Sequence, residues 1–300
     1  MTAQVLSHAD GRKTDFLISG AKDGFPLVFI HGTPGSYTVG SNLSSTCERK
    51  GIKLITLSRA GYGGSSRKLG RRVVDAVADI HELLEHLGVK KCIVGGKSGG
   101  GPHSLACAAR LPGCVAALVV AGVGPYNVDG LDFLAGQGQG NIDEWAAALK
   151  GEEEIQKFCQ AERPGLLAAD AEGLTKALLS TLLPEVDKKA MLEDENTGND
   201  VVTSMHEALR VSCDGWVDDD LAFIQPWGFD FDEINVPVFL YQGSEDKMVP
   251  LEHGKWQADH LPKDKVKARL VDGEGHISIM AGYLEEMLDN LLAVARVHER

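Results

Sequence analysis

No window of about 18 apolar residues occurs in the 300-residue chain, which excludes a membrane-spanning helix. The start, Met1 to Phe16, lacks a basic segment followed by an apolar one, so the expectation is a soluble, cytoplasmic protein without a secretory leader. No Cys-x-x-Cys pair is present. Cys47, Cys92, Cys107, Cys114, Cys159 and Cys213 are scattered, two of them inside apolar runs, which points to buried free thiols rather than disulfides or a metal site. Positive charge is scarce, 30 Lys and Arg against 43 Asp and Glu for a formal charge of −13. The largest basic cluster, Arg67, Lys68, Arg71 and Arg72, is read as a solvated stretch leading into a helix, and nucleic-acid binding is not expected. With 43% hydrophobic and 24% charged residues the chain is also neither disordered nor fibrous.

The charge that is there is unevenly placed. Residues 127 to 235 hold 24 Asp and Glu against 7 Lys and Arg, while the rest of the chain is slightly basic. Such a shift predicts an acidic insert, residues 127–234, within a core formed by 1–126 and 235–300. In the core, short apolar runs stop at turn residues: Pro26 to Ile30, Ile52 to Leu57, Lys91 to Val94, Val115 to Val120, Val236 to Tyr241 and Lys267 to Val271. Helical patterns alternate with them, as in Val73, Val77, Ile80, Leu84, Leu87 with Gly88 beyond, in Pro102 to Arg110, and from Tyr283 to Val297. This alternation predicts an α/β fold with a parallel sheet covered on both faces. The insert reads as mostly helical.

The chemistry is concentrated at the ends of the strand runs. Gly96-Lys97-Ser98-Gly99-Gly100 follows one strand and precedes a helix, the setting in which a G-x-S-x-G run forms a tight turn that exposes a nucleophilic serine. Gly96-Lys97-Ser98 also imitates the tail of a phosphate-binding loop, but that motif needs a glycine where Lys91 stands. A serine needs a base and a group to orient the base. Asp246 lies on the loop after Val236 to Tyr241 and His276 on the loop after Lys267 to Val271, in the chain order serine, acid, histidine. Glu245 and Asp129 are alternative acids, and an Asp after a strand also serves as a helix cap. His31-Gly32-Thr33-Pro34-Gly35 follows the first buried strand, so the backbone N–H of Thr33 could join that of Gly99 in holding an oxyanion.

HGTPG at 31–35, GYGGS at 61–65, GKSGG at 96–100, GSED at 243–246 and GEGH at 273–276 together resemble the α/β-hydrolase superfamily over nearly the whole chain, most closely its capped esterase and proline-iminopeptidase-like members. The resemblance implies an eight-stranded, mostly parallel sheet with a helical cap between strands six and seven, and an oxyanion hole at Thr33 and Gly99. Two departures stand out. Ser58-Arg59-Ala60 replaces a common Asp-x-Pro, which bears on local loop contacts, and HGTPG replaces the peptidase HGGPG. Serine at the elbow argues against epoxide hydrolases and haloalkane dehalogenases, which the resemblance implies carry aspartate there.

The insert holds Trp145, Trp216, Phe223 and Trp227, which either line a substrate pocket or form the insert's own core, as do Phe133 and Phe229. Most of its carboxylates, such as Asp218 to Asp220, are read as solvated. The resulting expectation is a serine hydrolase, needing no cofactor or metal, that cleaves an ester or lactone of a small neutral substrate as a monomer or homodimer. The alternatives are an aminopeptidase or amidase, a carbon–carbon bond hydrolase, a perhydrolase, or a non-catalytic ligand receptor on the same fold.

Overall fold

The computed structural model describes residues 3–179 and 181–298. The chain opens with β1 (Gln4–Ser7), β2 (Lys13–Gly20) and β3 (Phe25–Ile30), followed by α1 (Ser41–Lys50), β4 (Ile52–Leu57), α2 (Ala76–His86) and β5 (Cys92–Lys97). Then come α3 (Gly100–Arg110) and β6 (Cys114–Val120). Helices α4 (Gln139–Ala148), α5 (Glu152–Ala168), α6 (Ala171–Leu179), α7 (Glu185–Glu193), α8 (Glu195–Leu209) and α9 (Asp214–Phe223) all fall between β6 and β7 (Val238–Gly243). The chain ends with α10 (Leu251–His260), β8 (Val266–Val271) and α11 (Ser278–His298).

The strands form one eight-stranded sheet in the order β1-β2-β4-β3-β5-β6-β7-β8. β1 runs antiparallel to β2 and β2 antiparallel to β4, while every pairing from β4 to β8 is parallel. Because side chains alternate across a strand, each central strand splits its apolar residues between two cores. Val28, Ile30, Val94, Ala117 and Val119 face α2 and α3, and this core continues into the insertion through Trp145, Ile155, Leu209, Trp216 and Phe223. Leu27, Phe29, Ile93, Leu118 and Phe239 face α1 and α11. The buried stripe of α11 includes Met287, Leu288 and Leu291, and truncating one such leucine costs about 2–5 kcal/mol.

The expected strand runs of the parallel part are present, Ile52 to Leu57 with unchanged bounds and the others with bounds shifted by at most three residues. The helix expected from Val73 begins as a short 3₁₀ turn, Val73–Asp75, before α2. Double cover fails at the edge: the side chains of β8 are mostly exposed, because only β7 pairs with it. β1, β2 and α1 carry no strong periodic signal. In α1 only Leu43, Thr46 and Cys47 are buried, and its end is marked by left-handed Gly51 instead. Five of the six cysteines are buried and all are free, as expected.

Strand order positions the site. From β3 the chain moves to β4 on one side and β5 lies on the other, so the loops leaving the C-terminal ends of β3 and β5 diverge and leave a crevice between them.

His253 on α10 ties the start of the insertion to this edge. The Gly124 N–H donates to its Nδ1 at 3.0 Å, so its Nε2–H donates to the Phe133 carbonyl at 3.0 Å and the ring is neutral. Burial pushes its pKa down to about 4 from 6.5. Between those values the unfolded chain takes up a proton that the folded chain refuses, so stability present above about pH 6.5 is lost on acidification, by up to about 3 kcal/mol from this residue. Urea unfolding at about pH 7 and about pH 4.5 should therefore show a smaller loss in His253→Gln than in the parent; an identical loss would contradict the assignment.

Candidate active site

The run from β5 into α3 turns so sharply that side chains are excluded. A Cβ on Gly96 would lie 2.1 Å from the Gly100 carbonyl oxygen, and one on Gly99 would lie 2.2 Å from Thr33 Oγ1. Ser98, between them, sits at φ 54°, a left-handed conformation that a non-glycine residue holds only when its surroundings impose it. The Ser98 N–H donates to Val120 O at 2.9 Å, anchoring the turn to β6. This is the local geometry that G-x-S-x-G predicted.

His276 and Asp246 come together at the ends of β8 and β7. His276 Nδ1 lies 2.8 Å from Asp246 Oδ2, and both side chains are buried. The Asp246 carboxylate also accepts the backbone N–H groups of Met248 and Val249, each at 2.8 Å, and the Gln242 amide at 3.1 Å. A carboxylate so bonded takes the Nδ1–H and leaves Nε2 as the free base. Glu245 and Asp129 have no comparable contact with His276 among the described residues. The His276 loop is held from the insertion: buried Asp187 of α7 accepts the N–H groups of His276, Ile277 and Ser278 at 2.8–2.9 Å, capping α11.

Ser98, His276, Thr33 and Gly99 line one cavity of about 510 Å³. Its roof comes from the insertion, with Trp145, Phe158, Trp216 and Phe223 among the lining residues. Trp145, Trp216 and Phe223 thus occupy the expected place. Trp227 does not: it packs on Phe229 and Phe231 at ring distances of 6.1 and 6.2 Å, outside the cavity lining. Lys97 lines the wall beside Ser98, and burial pushes its pKa down against the pull of Asp187 and Asp246.

The acidic run Asp218–Asp220 is not solvated. All three side chains are buried, because α9 lies between the core and the rest of the insertion. Asp218 receives Arg67 at 2.7 Å, and Arg71 Nη2 lies 2.7 Å from Asp219, so two residues of the expected solvated basic stretch are ion-paired, Arg71 of them buried. Burial drives the pKa of Asp219 up, but Arg59 and Arg71 outweigh it and hold the carboxyl well below the usual range. Asp220 behaves oppositely. Burial and the neighbouring Glu144 raise its pKa well above the ordinary value, and burial raises that of Glu144. The two carboxyls, both in the cavity wall, are therefore both pushed toward their protonated forms, with Glu144 also accepting the Trp216 indole N–H.

Ser58-Arg59-Ala60, read as a local departure, reaches the site itself. The Arg59 guanidinium donates to the carbonyls of His31 and Gly32 and to Thr33 Oγ1. Arginine in an otherwise apolar strand end was the available signal for this role; for Asp187 and Asp219 there was none beyond acidic composition. Among the described residues, no group of three or more His, Cys, Asp or Glu is placed to hold a metal ion, and no helix is long and apolar enough to cross a membrane.

A family model described as alpha/beta hydrolase fold matches residues 26–283. The chain is 26% identical over 267 residues to a non-heme chloroperoxidase from Streptomyces lividans, covering 86% of this chain and 85% of that one. It is also 26% identical over 303 residues to a proline iminopeptidase from Neisseria meningitidis serogroup B, covering 91% and 92%. A solved esterase from Rhodococcus sp. ECU1013 superposes with TM-score 0.65 at 18% identity, covering 98% and 99%.

The raised pKa of Asp220 has a measurable sign. Stability from a carboxyl with a raised folded pKa is present below its unfolded value near 3.8 and is lost as pH rises through the folded value. Asp220→Asn, which removes the charge at nearly the same shape, should unfold at a higher temperature than the parent at about pH 8 and lose that advantage near pH 4. A variant less stable than the parent at about pH 8 would contradict the raised pKa.

Proposed function

This chain belongs to the α/β-hydrolase fold family, and within it we propose a cofactor-independent serine hydrolase that cleaves a carboxylic ester or lactone of a small, neutral, partly apolar substrate. The observation that carries the reading is the His276–Asp246 pair opening onto the same cavity as a serine held at positive φ. Ser98 Oγ attacks the carbonyl carbon while His276 Nε2 takes its proton. Asp246 keeps His276 in the required tautomer and offsets the charge of the imidazolium. The N–H groups of Thr33 and Gly99 hold the oxyanion, and His276 returns the proton to the leaving alkoxide. Water, activated by the same histidine, then cleaves the acyl-enzyme. Residues 127–234 act as a cap over Ser98, and Trp145, Trp216 and Phe223 receive the apolar part of the substrate.

A second reading is an aminopeptidase. It is favoured by the Glu144–Asp220 pair, which offers a substrate ammonium a buried, partly ionised partner, and by the full-length similarity to a proline iminopeptidase. The ester reading ranks first because carboxyls pushed toward their protonated forms offer an ammonium little negative charge in an apolar cavity.

Hydrolysis of p-nitrophenyl esters from acetate to decanoate, measured beside Ser98→Ala, tests both. Turnover should fall about a thousandfold or more in the variant. A loss of only a few-fold would remove Ser98 from the mechanism, and turnover of prolyl anilides in preference to every ester would replace the first reading by the second.

A further inference from the structure

We infer that Asp219 of the insertion and Arg59 of the core are positioning residues for the oxyanion hole, which makes helix α9 a working part of the site as well as its roof. This rests on the reading of Thr33 as an oxyanion donor.

Both residues are buried, and nearly every polar atom on them is spent on one turn. Asp219 accepts from Thr33 Oγ1 at 2.6 Å, from Tyr62 Oη at 2.8 Å and from the Arg59 guanidinium, with Arg71 Nη2 2.7 Å away. Arg59 in turn donates to the His31 carbonyl, to the Gly32 carbonyl at 3.1 Å and to Thr33 Oγ1 at 3.1 Å, while its backbone N–H donates to His31 Nε2 at 3.0 Å. That last bond makes Nε2 the acceptor, so the His31 Nδ1–H donates to the Gly32 carbonyl at 2.7 Å. Burial, reinforced by Arg59, keeps His31 neutral.

The Gly32 carbonyl thus receives two donors, one of them charged. In a planar trans peptide the C=O and the following N–H point in opposite directions, so fixing the Gly32 carbonyl fixes the direction of the Thr33 N–H. A charged donor on the carbonyl also polarises the peptide and strengthens its N–H as a donor. The turn also lies against its partner: Thr33 Oγ1 is 2.2 Å from where a Cβ on Gly99 would stand, and the Gly99 N–H is oriented separately, the Ser98 carbonyl of its peptide accepting the Gly101 N–H at 2.9 Å. The Thr33 N–H is therefore set by one buried cluster, and its single carboxylate is supplied by the insertion.

The test uses Thr33→Val and Asp219→Asn in the full chain, with Ser98→Ala alongside. The readouts are kcat and KM for p-nitrophenyl butyrate, inhibition by an aliphatic trifluoromethyl ketone, and the unfolding midpoint. Thr33→Val removes one hydroxyl and leaves Asp219 its partners Arg59, Arg71 and Tyr62, so it decides the matter even where Asp219→Asn does not fold. Positioning predicts a kcat lower by about tenfold or more, KM within about twofold, and ketone affinity weakened in proportion to kcat. Parental kcat and ketone affinity in Thr33→Val, with Ser98→Ala inactive, would overturn this inference and leave the hydrolase reading standing. Undiminished turnover in Ser98→Ala would overturn the hydrolase reading and this inference with it.

Discussion

The close approach of two backbone turns at the crevice beside β3 is the constraint on which the site depends. At positions 96, 99 and 100 a single methyl group would overlap neighbouring main chain or Thr33 by more than an ångström of normal contact distance. Glycine at those positions lets the strand turn into α3 within a residue or two, and that turn holds Ser98 at positive φ. The strain is held in place by a core packed on both sides of the sheet. Removing the crowding would relax the serine and separate the two turns that face each other across it.

The insertion does more than cover this arrangement. Asp187 caps the loop that carries His276, and Asp219 anchors the turn that carries Thr33, so two buried carboxylates from one inserted segment reach two different loops at the cavity. Buried charge is costly unless fully paired, and each of these is paired by several donors. The exception is Asp220, whose burial and proximity to Glu144 push it toward the protonated form.

How far the sequence revealed this follows from the range of each interaction. Strands β3 to β7, helix α3 and the elbow at Ser98 are specified by residues within about a dozen positions of one another, and period and turn chemistry reported them well. Asp246 and His276 were legible because each follows a strand whose end must lie on one edge of a parallel sheet. Asp219 and Arg59 were not, since their partners lie 160 positions apart and a run of three aspartates normally faces solvent. For the insert's aromatics pocket wall and core both stayed open, because residue type does not tell one from the other, and Trp227 lies outside the cavity lining. The edge strand β1 carried no strong periodic signal, and the exposure of β8, itself read as a strand, was missed because an edge strand has a neighbour on one side only.

The most direct test of the central claim, that the strained Ser98 is the nucleophile, is covalent trapping. Intact protein treated with an alkyl fluorophosphonate and mapped by peptide mass spectrometry should carry one phosphonyl group, on the peptide containing Ser98, and His276→Ala should react far more slowly. A folded protein that takes up no label, or takes it up on another residue at the same rate, would contradict the account.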